Sequence, residues 1–208
     1  MGETPARRSH LWVRLRLVGL IAVIWSLTSG CGPDYGEAFL RSYRGAQRAF
    51  SAGRYAQAAQ LYEQAATDAQ RVKDRDEALF MQALMYERLE RWEQARATYR
   101  RIMRISPRGP RSGRARFEHA TLQIEHGDAV VGWRELKVAI ERYPNHGSTS
   151  RAVELTVAHI VETDSERKAR ATLDRWIVML AGSAVEQRLK YERALSLRRS
   201  GDLATAHA

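Results

Sequence analysis

The chain has 208 residues, of which 44% are hydrophobic and 28% charged, a balance that excludes a disorder-dominated polypeptide and leaves room for one domain or an elongated array. Its net charge is +10, and arginine supplies 30 of the 34 cationic side chains, lysine standing only at Lys73, Lys137, Lys168 and Lys190. The single cysteine, Cys31, excludes an internal disulfide and a cysteine-based metal cluster within this sequence.

The first thirty residues read as an address. Arg7, Arg8, Arg14 and Arg16 make a basic start, and the thirteen residues from Leu17 to Ser29 carry no charge. Such a stretch spans about 20 Å as a helix, short of a hydrocarbon core of about 30 Å, which suits the apolar region of a signal peptide. It ends in Leu27-Thr28-Ser29-Gly30-Cys31. Small residues before a lone cysteine resemble the bacterial lipobox, which implies cleavage after Gly30 and lipid on Cys31. Gly32 rather than an aspartate follows, which by the same resemblance implies the outer membrane rather than the inner. The expected organisation is a lipoprotein signal peptide over 1–30, a lipidated tether over 31–36 and a helical array over 37–208.

From residue 37 onward the chain repeats. Alanine, leucine, arginine and glutamate are plentiful, and alternating Val/Ile/Thr runs are missing, so helices rather than strands are expected. Turn-like segments start at Gly53, Glu90, Gly127, Asp164 and Gly201, each 37 residues after the last. Ala46, Ala83, Ala120, Val157 and Ala194 precede these turns by seven, and Pro107 and Pro144 share a phase. Small residues at the Ala46 and Ala58 phases let two antiparallel helices approach, and the large residue at the Tyr62 phase lies four further on the same face. Asp128 and Asp202 are expected to cap helices after a turn glycine. One such pair cannot bury its apolar face alone, so neighbours must stack. The expected fold is therefore all-α: an α-solenoid of antiparallel helix pairs with a 37-residue period and about four and a half repeats.

This pattern resembles the tetratricopeptide repeat family, whose own period is 34. The three extra residues are expected in the second helix or the linker, as at Arg71-Val72-Lys73-Asp74-Arg75. The likeness weakens in the fourth unit, which lacks the glycine and proline, and the fifth stops at His207-Ala208, partway into its second helix.

In that family the first helices line a concave surface. Four residues into each first helix stand Tyr43, Phe80, Phe117, Glu154 and Tyr191, again 37 apart and mostly aromatic. Two readings of this column stay open: packing between adjacent helices, or anchors for a partner. Leu84, Thr121 and Ala158 would face the same groove, and Arg114 and Arg151 would either take a carboxylate-bearing ligand or stand on a solvated face.

Reactive chemistry has little footing. His119 and His126 lie seven apart, but the neighbouring Glu118 and Glu125 give no metal-ligand spacing. No glycine-rich phosphate loop and no serine or cysteine nucleophile motif occurs. The arginine bias is genomic base composition or, if gathered on one face, a nucleic-acid footprint; the signal region argues against nucleic acid. We therefore expect no enzyme, no cofactor, no metal and no small-molecule substrate. The expected function is a non-catalytic scaffold that binds a protein or peptide in the bacterial envelope and meets the membrane through lipid on Cys31. Lipobox plus repeats, with Glu141-Arg142-Tyr143-Pro144-Asn145 ending a unit, resembles the BamD-like outer-membrane assembly lipoproteins, which implies a role in outer-membrane protein assembly. The alternative is a periplasmic tetratricopeptide adaptor for peptidoglycan synthesis, division or secretion.

Overall fold

The computed structural model describes residues 36–201. The expected signal peptide, Cys31 and the expected tether up to residue 35, and the fifth unit's Asp202, Leu203 and Ala206 lie outside the described residues. The chain divides into Met1–Asp34 and Tyr35–Ala208, and all the described helices belong to the second.

Those helices are α1 (Glu37–Ser51), α2 (Tyr55–Asp68), α3 (Val72–Arg88), α4 (Trp92–Ile105), α5 (Ser112–His126), α6 (Ala129–Arg142), α7 (Thr149–Thr163), α8 (Glu166–Met179) and α9 (Glu186–Arg199). No strand occurs among the described residues. The second helices begin at Tyr55, Trp92, Ala129 and Glu166, so the 37-residue period of the sequence is the period of the structure. Each helix packs on its neighbours in chain order, and α9 also touches α7, the first helix of the preceding unit.

The residues that recur at 37 build the interior. Ala58, Ala95 and Ala169 are buried at one phase, with Gly132 among them. Tyr62, Tyr99, Leu136 and Leu173 are buried at the next, then Ala65, Ile102, Ala139 and Trp176. Small residues admit the partner helix and large ones fill the space toward the next unit. The apolar interior runs as a chain of clusters. One joins the first unit to α3, a second spans the first three units, and a third runs from Phe117 in α5 to Leu189 in α9.

The turn inside each pair is closed in two ways. In the first two units a left-handed residue reverses the chain, Gly53 at φ 71° and Glu90 at φ 55°. In the third and fourth units the side chain one position further on does the work. Asp128 accepts from the Val131 amide at 3.1 Å, and Ser165 accepts from the Lys168 amide at 3.2 Å. The expected cap at Asp128 is therefore present, but Gly127 is not left-handed; its φ is −145°. A Cβ at Gly127 would crowd the Arg96 guanidinium and the Gln123 amide, which would have to shift to admit it. The fourth unit, weak in its motif, is nevertheless a complete helix pair, with Ser165 capping its second helix.

The extra residues of the period lie in the linkers between pairs, residues 106–111, 143–148 and 180–185. Each linker makes the same two turns. The Gly109, His146 and Ser183 amides donate to Ser106, Tyr143 and Leu180 carbonyls, and the Ser112, Thr149 and Glu186 amides to Gly109, His146 and Ser183 carbonyls, all at 2.8–3.2 Å. In the segment 71–75, expected to carry the extension, residues 72–75 form the first turn of α3, which at 17 residues is the longest described helix.

The outer face of α1 breaks the pattern. Ala78, Ala115, Ala152 and Leu189 share a phase and are buried, yet Arg41 holds that phase in the first unit and is exposed. Arg48 likewise stands where Met85 and Leu122 are buried. No described helix stacks on this face, and a terminal repeat of a solenoid carries a polar outer face.

Candidate functional site: the groove between the first helices

The aromatic column divides when seen in place. Phe80 is 2% exposed and Phe117 4%. Phe80 packs on Tyr99 at 5.5 Å, and the Arg111 and Arg114 guanidiniums each lie 5.1 Å above its ring. Phe117 is covered by His146, stacked at 5.2 Å. Both rings belong to the core. Tyr43 is half-buried against Phe39 and Tyr62, at 5.3 and 5.4 Å, and burial pushes the Tyr62 phenol up to about 12. Leu84 and Thr121 are half-buried. Tyr191, 55% exposed, is the column's open aromatic.

The arginines are engaged within the chain. Arg114 pairs with Glu118 at 3.2 Å and Arg151 with Glu154 at 2.6 Å, while Arg111 pairs with Glu77. An acidic ligand at Arg114 or Arg151 would have to displace a carboxylate already in place.

Between α7 and α9 lies a groove of about 550 Å³. Val157, Ala158, Val161 and Leu195 give it an apolar lining, and Tyr191 stands at its side. Arg188 crosses it, paired with Glu154 at 3.0 Å and Glu192 at 2.8 Å, its guanidinium 5.4 Å from the Tyr191 ring centre. The hydrogen bond from Arg151 holds the Glu154 carboxyl below its ordinary value against some desolvation, with the Arg151 and Arg188 charges adding to it. The groove thus offers apolar surface, one open aromatic and internally compensated charge. Such a site takes an apolar side chain with a hydrogen-bonding backbone more readily than a strongly charged ligand.

The sequence reading places Tyr191 here, with Ala158 opposite, and misses Arg188, Glu192 and Leu195. Arg188 carries a signal: Arg114, Arg151 and Arg188 are 37 apart. Two further ring pairs carry none. Trp92 stacks on His126 at 3.9 Å and Trp133 on His159 at 4.0 Å, through spacings that do not repeat.

His119 and His126 do different things. His126 lies on Trp92, whereas His119 is buried with Nδ1 2.8 Å from Glu135. Burial lowers the His119 pKa, outweighing the opposing pull of Glu135. Among the described residues no group of three or more His, Cys, Asp or Glu could hold a metal ion.

Residues 77–108, most of α3 with all of α4, match the family model of the tetratricopeptide repeat. No curated protein sequence matches the chain. Among solved structures the chain is similar to MamA, residues 41 to the end, from Desulfovibrio magneticus RS-1, at 13% identity and TM-score 0.53, covering 83% of this chain and 91% of that one. A double mutant of MamA from the same strain matches equally, with 90% of its chain covered. A kinesin light chain array of nearly identical tetratricopeptide-like repeats from Podospora anserina gives 14% identity and TM-score 0.51, covering 81% and 89%. Residues 77–108 are a tetratricopeptide repeat in sequence, and the described helices form a solenoid of the tetratricopeptide fold.

Proposed function

We propose that the protein is a non-catalytic scaffold that binds a partner protein through the groove between α7 and α9. The observation that carries this reading is Tyr191, a large aromatic left open at the side of an apolar groove while its counterparts Phe80 and Phe117 are covered. Aromatic anchors in such pockets dominate binding energy because they bury much area at small entropic cost. The partner is a protein segment presenting an apolar side chain to Ala158, Val161 and Leu195.

The scaffold works at the bacterial envelope, held by lipid on Cys31 and facing the periplasm from the outer membrane. The lipobox-like Leu27-Thr28-Ser29-Gly30-Cys31 supports this, and the likeness to barrel-assembly lipoproteins supports a place in outer-membrane protein assembly. The test is a crosslinked pull-down from membranes after labelling with a lipid precursor, comparing wild type with a Tyr191→Ala, Ala158→Arg double variant. Loss of the barrel-assembly subunits from the variant, with its melting temperature kept, is the expected outcome. Wild type that captures none of them sinks the assembly role, and equal capture by both proteins sinks the groove. A Cys31 that takes up no lipid label removes the anchor.

A further inference from the structure

Among the described residues the outer face of α1 is the end of the array, and its three arginines stand at phases that no later unit fills with arginine. Along it run Arg41, Arg44 and Arg48, spaced three and four residues apart and so on one stripe. All three are exposed, and none has a carboxylate partner among the described residues. Polarity alone would satisfy a terminal repeat, and mixed charge or serine and glutamine would serve as well. Instead the stripe is cationic for two turns, with Glu37 as the acid at its start and Gln47 and Ser51 beside it. Two shallow depressions of about 490 and 470 Å³ flank Arg44 and Arg48. By contrast Arg114, Arg151 and Arg188, on later first helices, pair with carboxylates, as does Arg111 in the linker before α5.

We propose that Arg41, Arg44 and Arg48 form a docking face for the anionic headgroups of a phospholipid surface. The proposal rests on the reading of Cys31 as the lipid anchor for its location. Four residues separate Cys31 from Gly36, and the five steps reach at most about 18 Å, so an anchored chain holds α1 within contact range of the bilayer. An unpaired guanidinium is a strong phosphate partner, and each cation near an anionic surface strengthens attraction severalfold. The anchor supplies attachment and the stripe supplies orientation: α1 lies against the headgroups, and the α7–α9 groove stays at the far end of the array.

The test uses the full chain purified from membranes and reconstituted in vesicles of phosphatidylcholine alone or with roughly 30% phosphatidylglycerol. A fluorophore is placed by Gln47→Cys, and in a separate protein by Val178→Cys on α8, and quenched by headgroup-spin-labelled lipid. The expected result is quenching at position 47 only in the anionic vesicles, reversed by high salt and lost in an R41Q/R44Q/R48Q variant, with position 178 unquenched throughout. Equal quenching at 47 in both vesicle types, or quenching unaffected by the triple substitution, overturns the proposal. So does protection of position 47 from labelling before lipid is added, which would mean that a protein surface covers the face. Lipidated Cys31 cannot take the fluorophore, so labelling of wild type reports failure of the anchor reading by itself. In that case flotation of the same chain decides the stripe: at least a tenfold preference for anionic vesicles sustains it, and none overturns it.

Discussion

Gly132 stands at a phase filled by alanine in the other units, and one methyl group explains the difference. A Cβ there would lie 2.7 Å from the Ile124 backbone nitrogen and 3.0 Å from the Ala120 carbonyl oxygen, neither of which can swing away. Helix propensity favours alanine over glycine by about 1 kcal/mol, whereas overpacking costs about 1–3 kcal/mol. Gly132→Ala is therefore expected to lose up to about 2 kcal/mol in denaturant melts, and a raised stability would refute the close approach of α5 and α6. His119 gives a prediction in pH. Its folded pKa lies below the unfolded value of about 6.5. The unfolded chain therefore binds the proton more readily between those two values, and stability falls as pH drops through that window. His146 and His159 are shifted the same way by burial. His119→Gln, which installs the residue that Gln82 supplies one unit earlier, should flatten the slope below pH about 6.5 without abolishing it.

At the scale of the helix, the column of first-helix residues separates folding from binding. Phe80→Ala should cost about 3–5 kcal/mol, because the ring is closed in by Tyr99 below and two guanidiniums above. Tyr191→Ala, at the open end of the same column, should cost under about 1 kcal/mol and act on partner capture instead. Paired thermal melts and pull-downs read both at once. The column itself was legible in the sequence, since its period sets the phase of every aromatic in it. Which member stays open was not, because that depends on Arg111, Arg114 and His146 folding back from the next first helix and its linker. The same limit applies to the turns. A period of 37 marks where the chain reverses, but not whether a left-handed residue, as at Gly53 and Glu90, or a capping side chain, as at Asp128 and Ser165, closes the turn.

Taken whole, the described solenoid has no central core, and its clusters meet only through neighbouring units. Stability in such an array is close to a sum of unit and interface terms. Leu173→Ala, in the cluster from Phe117 to Leu189, should lower hydrogen-exchange protection in α7, α8 and α9 far more than in α1 and α2, whereas uniform loss would indicate a single cooperative core. The fourth unit shows what a motif reading underweights: without the signature glycine and proline, it still buries Ala169, Leu173 and Trp176 fully. Buried volume at the right phase outlasts the punctuation around it.

Arg41 has one more effect, on how copies of the chain meet. An array of stacked units invites elongation, since the last unit of one copy could seat on the first unit of the next and extend into a filament. Within the chain that phase is filled by a buried apolar residue, Ala78, Ala115, Ala152 or Leu189. At Arg41, Arg44 and Arg48 seating would instead bury three cations with no carboxylate to receive them, each costing several kcal/mol. Growth by head-to-tail addition is thereby closed at this end. Replacing the three by Ala, Met and Met, the residues of the second unit, should produce concentration-dependent association in sedimentation where wild type shows none through this face.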